Sequence, residues 1–251
     1  MKTILAAASV AVAGMAQAAD IAVLASPAMK EAYVELVPRF ERSSGNKVAT
    51  TWAGTADIMK RMQAGEAYDV VIAASSSLEE LTDTGRLMAG SRKDLVRSGV
   101  GVTVRAGAPR PDISTAQAVK RAVLAAKSVG ISTGPSGVYM SGLFERMGIA
   151  AEVKPKLKVP PSGAQIAELV AKGDIELGFQ QVSEIVHVKG ADFVGPLPAE
   201  IQRITVFAGA VHTASQGPDA ARELLEFLAS PEHAPLLQKH GLEPGASAPY
   251  R

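Results

Sequence analysis

The sequence predicts an α/β fold of two lobes joined by two crossover strands that form a hinge. Three observations carry this expectation. First, a short apolar strand, then small hydroxyl residues, then an amphipathic helix recurs along the chain: 21–24 before Ser26, 47–52 before Thr55, 69–73 before Ser75, and 128–131 before Thr133 and Ser136. Second, two further strand-like runs, 99–105 (Gly-Val-Gly-Val-Thr-Val-Arg) and 203–208 (Arg-Ile-Thr-Val-Phe-Ala), bracket the middle of the chain, each beside a Pro/Gly turn. Third, 251 residues with 47% hydrophobic content and no cysteine must fold on apolar cores without disulfides.

The elements follow in order. Lys2, the apolar run 4–14 and Ala16-Gln17-Ala18 have the layout of a secretory leader, so 1–19 is expected to be cleaved and the mature chain to reach the periplasm. Without Lys2 the basic residues balance the 25 acidic ones, so no nucleic-acid partner is expected. After the first strand, Ser26 is the expected N-cap and Pro27 the first helical residue. Met29, Tyr33, Leu36, Val37 and Phe40 mark the buried face of that helix, and Gly45 ends it. The strand over 47–52 ends at Trp52 and leads to a helix with Ile58, Met59 and Met62. The strand over 69–73 leads to Ser75, Ser76, Ser77 and a helix with Leu78 and Leu81.

In an open α/β sheet, ligands bind beyond the carboxyl ends of the strands. Ser26, Thr55 and Ser75 would share that rim, although each alone is also an ordinary N-cap. The stretch 132–148 adds a fourth turn. It is expected to cap a helix with Thr133 or Ser136, to bury Val138, Leu143, Phe144 and Met147 on one face, and to stop at Gly148. Free N–H groups and hydroxyls at such a turn suit an anion. A second α/β set fills 105–203, with helices at 115–127 and 163–172 and strands at 156–159 and 176–179, the last leading into Gln180 and Gln181. The chain then returns through 204–251 to the first lobe, 20–104, with helices at 218–229 and 231–240. The cleft between lobes is the expected ligand site. The four histidines lack metal-ligand spacing, and neither a nucleophile elbow nor a phosphate loop is present, so no metal or cofactor is expected.

Several stretches carry a family likeness: Trp52-Ala53-Gly54-Thr55-Ala56-Asp57, Pro135-Ser136-Gly137-Val138-Tyr139, Gly178-Phe179-Gln180-Gln181-Val182-Ser183-Glu184 and Phe227-Leu228-Ala229-Ser230-Pro231-Glu232. In these the chain resembles the type II periplasmic solute-binding proteins, in the branch similar to molybdate-binding proteins, across essentially the whole mature sequence. The resemblance implies a small anionic ligand and an ABC permease partner, with a monomeric binding protein. It implies Ser26 and Thr55 as oxyanion donors, with backbone donors near Ser136, Gly137, Val138 and Gly163. Gln181 stands where molybdate binders usually have tyrosine. Two glutamine amides and Trp52 suit a larger ligand, such as a carboxylate with hydroxyls.

The stretches 105–114 and 194–198 resemble a narrower group that includes a periplasmic aconitate isomerase. That resemblance implies an enzyme alternative, an allylic proton shift in an unsaturated tricarboxylate, which needs a base and an acid at the substrate carbons. Tyr139, Asp57 and His212 are the candidates, with Lys60, Arg105 and Arg146 as charge partners. Each has a plainer reading: ring packing for Tyr139, dipole compensation for Asp57 and solvation for His212.

Overall fold

The computed structural model describes residues 18–246. The leader expected over 1–19 lies outside them apart from its last two positions. Ten strands are present among the described residues: β1 Asp20–Ala25, β2 Lys47–Trp52, β3 Val70–Ala74, β4 Lys93–Arg105, β5 Val129–Ile131, β6 Leu157–Lys158, β7 Leu177–Gln181, β8 Ala191–Pro196, β9 Ile204–Val211 and β10 Glu243–Pro244. The helices are α1 Lys30–Ser44, α2 Thr55–Gln63, α3 Ser75–Asp83, α4 Ala116–Ala125, α5 Pro135–Arg146, α6 Ala150–Val153, α7 Ile166–Lys172, α8 Val182–Ile185, α9 Pro218–Leu228 and α10 Ala234–Lys239.

The strand order is β2-β1-β3-β9-β4-β7-β5-β6, with β8 and β10 also pairing β4. β1, β2 and β3 are parallel, as helical crossovers require, and β9 runs antiparallel to β3. All five residues of β3 are buried, which fits a parallel strand covered on both faces. One core packs α1 and α9 residues against one face of this sheet, through Tyr33, Leu36, Phe40, Leu224 and Leu228. Another packs Ile58, Met62, Leu78 and Leu81 against the other. The second sheet has its own core around Val102, Val123, Phe144 and Phe179.

β4 belongs to both sheets. Its residues 93–99 pair with β9, and residues 100–105 pair with β7 and β8. It is the first crossover, longer than the run 99–105 that the sequence suggested. β9 is the second and extends beyond 208. The Gln202 side chain completes the hinge where β9 pairing ends. Its Oε1 accepts the Val100 N–H at 2.9 Å, and its Nε2 donates to the Val100 carbonyl at 3.1 Å. An amide side chain thus continues the ladder where backbone no longer can.

Three local expectations are corrected. α5 is capped by Gly134, not by a hydroxyl residue, with Pro135 at its first turn. Val138 is 68% exposed, because Met140 takes the inward position beside Leu143 and Phe144. α7 begins at Ile166 rather than Gly163, which sits in the left-handed region at φ +84°.

Candidate functional site

The carboxyl ends of β1 and β2, the turn after β5, the turn before α7 and the end of β7 converge on one cleft. A small inner chamber of about 30 Å³ is lined by Ser26, Thr55, Ser132, Thr133, Ser136, Gly163, Gln181 and Glu184, among others. That volume holds about one water. Ser26 and Ser136 are buried, and Ser136 Oγ lies 3.3 Å from Ser132 Oγ. An outer chamber of about 510 Å³ is lined by Lys30, Trp52, Gly163, Gln165, Glu184 and His187, among others. Pro27, Gly163 and Glu184 border both. The sheets meet closely here: a Cβ at Gly54 would lie 2.5 Å from the Gly163 nitrogen.

Sequence puts glycine where chain must approach chain. At Gly137 any Cβ would collide with the Ser132 carbonyl, so the first turn of α5 can lie on the preceding turn only with glycine there. Gln180 reaches from β7 to α7, where its Oε1 accepts the N–H groups of Ile166 at 2.9 Å and Ala167 at 3.3 Å. Its Nε2 donates to Gln165 Oε1 at 3.1 Å, and Gln165 Nε2 points to Glu184 Oε1 at 3.5 Å. Gln181 is oriented so that its amide nitrogen meets the Ser98 and Gly99 carbonyls at 3.0 and 3.2 Å and its oxygen accepts from the Thr205 hydroxyl at 3.1 Å. It ties the cleft floor to the hinge.

Among the described residues, Glu184 is the one ionisable side chain lining the inner chamber, while Lys30, Glu31, Glu168, His187 and Lys189 line the outer one. The residue keeps partial exposure where it borders the two chambers. Burial pushes its pKa up to about 7, against the opposing pull of the Gln165 and Gln180 amides and the Gln181 backbone. An acid near neutrality can both take and give a proton.

The cleft fits what comparison finds. A family model for bacterial extracellular solute-binding proteins matches residues 21–243. The chain belongs to that family of solute-binding proteins. It is 37% identical over 235 residues to an aconitate isomerase from Pseudomonas sp, covering 91% of this chain and 89% of the relative. It is 26% identical over 233 residues to the molybdate-binding protein ModA of Azotobacter vinelandii, covering 90% of each. The solved structure of the A. vinelandii periplasmic molybdate-binding protein superposes with a TM-score of 0.75 at 17% identity, covering 92% of this chain and 100% of that one. The sulfate-binding protein SubI from Mycobacterium tuberculosis gives 0.73 at 17%, covering 91% and 88%. The fold is the type II periplasmic-binding-protein fold.

Within this solute-binding protein, Ser26, Thr55, Thr133, Ser136, Gly163 and Gln181 line the inner chamber, and Trp52 the outer one. Trp52 packs edge-on against Tyr33 at 5.2 Å, with Lys30 Nζ 5.9 Å over its ring. Ser75, Val138, Tyr139 and Asp57 line neither chamber, and Gly137 shapes the turn from within. The Val138 N–H is committed to the Gly134 carbonyl at 3.0 Å. Tyr139 donates its hydroxyl to the Ile201 carbonyl at 2.7 Å, with Arg146 5.2 Å over its ring, which ties α5 to the approach to β9. His212 lies at the far end of the first sheet. β9 is antiparallel to β3, so Val211 pairs with Val70 at the amino end, and the His212 N–H meets the Asp69 carbonyl at 2.9 Å. His212 is buried there, not solvated. The sequence reading missed Glu184, Gln165 and His187 as site residues. Glu184 stood inside a quoted motif, but nothing local distinguishes it from a solvated helix residue.

Proposed function

We propose that this chain closes on a small polycarboxylate and isomerises it by an allylic proton shift, an activity like that of aconitate isomerase, in the periplasm after loss of its leader. The observation that carries this reading is the Glu184 carboxyl at an inner chamber whose other polar side chains are hydroxyls and amides. A proton shift requires such an acid, whereas a pure anion carrier could use it only in its protonated form, as one more donor. Ser26, Thr55, Thr133 and Ser136 would hold a substrate carboxylate. The inner chamber, sized for about one water, would have to widen to take that carboxylate, and the outer chamber would take the remainder. The lobes, 20–104 with 204–251 on one side and 105–203 on the other, would part at the hinge to load it. The shift is redox-neutral and calls for no cofactor.

The resemblance to the Pseudomonas isomerase supports the same reading. A second reading, capture of an anion for an ABC permease by a monomeric carrier, is favoured by the hydroxyl set and by the molybdate-binding relatives. Incubation with trans-aconitate, followed by proton NMR or ultraviolet absorbance, separates them. Conversion beyond protein stoichiometry is expected. Saturable binding with no conversion would leave the carrier, and neither binding nor conversion would remove both.

A further inference from the structure

We infer that His187 is the second proton carrier of this cleft, delivering a proton at one allylic carbon while Glu184 removes one at the other. The assignment rests on the isomerase reading above. His187 and Glu184 border the same outer chamber. They stand three residues apart along α8 and its C-terminal turn, where Val186 keeps helical backbone. Residues at that spacing share a helix face, with Cβ atoms about 5–6 Å apart.

His187 is also backed by a hydrogen-bonded chain. Its Nε2 lies 2.9 Å from His240 Nδ1, and His240 Nε2 lies 2.8 Å from Glu35 Oε1. Lys239 Nζ holds the same carboxylate oxygen at 2.9 Å. A carboxylate only accepts, so His240 Nε2 must carry hydrogen. In the tautomer with hydrogen on Nε2 alone, His240 Nδ1 accepts from His187 Nε2–H. That leaves His187 Nδ1 as the nitrogen that gains and loses a proton, the arrangement of an oriented acid–base histidine.

The charged groups facing His187 come from several elements. Burial lowers the His187 pKa, as do Lys239 and a positive charge on His240 when it carries one, while Glu31 and Glu35 on α1 raise it. An anionic substrate in the chamber would raise it. A base and an acid that exchange roles can run the shift in both directions.

The step balances. The Glu184 carboxylate takes a methylene proton. The released C–H pair becomes the new C=C bond, and the former C=C pair takes the His187 Nδ1 proton at the far carbon. Glu184 ends protonated and His187 neutral. The reverse reaction starts from that state, and proton return through solvent resets the pair.

The plainer role for His187 is a tie from α8 to α10. Deuterium separates the two. Wild type, His187→Gln and Glu184→Gln are each given trans-aconitate in D2O, with isomerisation and methylene deuteration followed by NMR and folding checked by thermal melting. Wild type should isomerise. His187→Gln should still exchange the methylene protons but isomerise at least about 100-fold more slowly. Glu184→Gln should do neither. Should His187→Gln melt early, His187→Asn is measured in its place. A His187 variant that isomerises at the wild-type rate, or that loses exchange and isomerisation together, overturns the assignment and leaves the isomerase reading intact. A wild-type chain that neither exchanges nor isomerises overturns both.

Discussion

Two carboxylates, buried in opposite ways, show how environment sets the behaviour of a residue. At Asp69 burial pushes the pKa up. The Ser215 hydroxyl at 2.7 Å and the N–H groups of Ala22 at 2.8 Å, Gln216 at 3.1 Å and Gly217 outweigh it, and the net shift is downward. A lowered folded pKa contributes stability above the unfolded value of 3.8 that is lost as pH falls through the folded one. Asp69→Asn should therefore cost about 1–3 kcal/mol at pH 7. Urea denaturation should show the difference from wild type shrinking as pH drops below 4. At Glu184 desolvation wins. Its folded pKa of about 7 lies above the ordinary 4.5, so ionising it opposes folding increasingly as pH rises through 7. Glu184→Gln should be neutral for stability below pH 4.5 and stabilising by roughly 2–3 kcal/mol above pH 8. Melting curves across that range check the sign, and the same substitution should abolish turnover.

The elements meet the site through close approaches that their sequences alone do not reveal. Ordinarily an alanine inside a helix is about 1 kcal/mol better than glycine. At Gly137 in α5 the order should reverse, because the new Cβ meets the Ser132 backbone rather than open space. Gly137→Ala is expected to destabilise by about 1–3 kcal/mol and to weaken ligand binding through displacement of the 132–136 turn. Gln180 links two elements in another way, as a strand side chain capping the start of α7. Gln180→Leu leaves those N–H groups buried and unpaired and should cost about 1–3 kcal/mol in equilibrium unfolding. It should also raise the apparent pKa of Glu184 in a pH–rate profile, because Gln180 is one of the groups holding it down.

For the whole molecule, β4 is the shared spine of both sheets, and the cleft exists only where the two sheets meet. Gly54 is the tightest point of that meeting. Gly54→Ala should cost about 1–3 kcal/mol in the unliganded chain, because its Cβ would collide with Ser162 Oγ, lie 2.5 Å from Gly163 N and drive the two sides apart. It should also suppress the rise in melting temperature that trans-aconitate gives wild type. An unchanged ligand-induced shift would show that this contact is not part of closure. The ligand stabilises by mass action only if it binds the closed chain in preference to the unfolded one.

Local signals determined a good deal of this protein. Strand periodicity, the helix face of Tyr33, Leu36 and Phe40, the left-handed stop at Gly45 and the hydroxyls at strand ends all depend on residues within a turn or two of each other. The rim residues Ser26, Thr55 and Ser136 were legible for that reason. Tertiary structure alone decided which polar residues face the cleft. His212 was excluded by the antiparallel direction of β9, Tyr139 by a carbonyl 62 positions away, and Val138 by the rotation of α5. Glu184 and His187 gain their character from α7, α1 and α10, distant in sequence but packed against them. Burial and long-range hydrogen bonds shift proton affinity, and neither is encoded in the residues on either side.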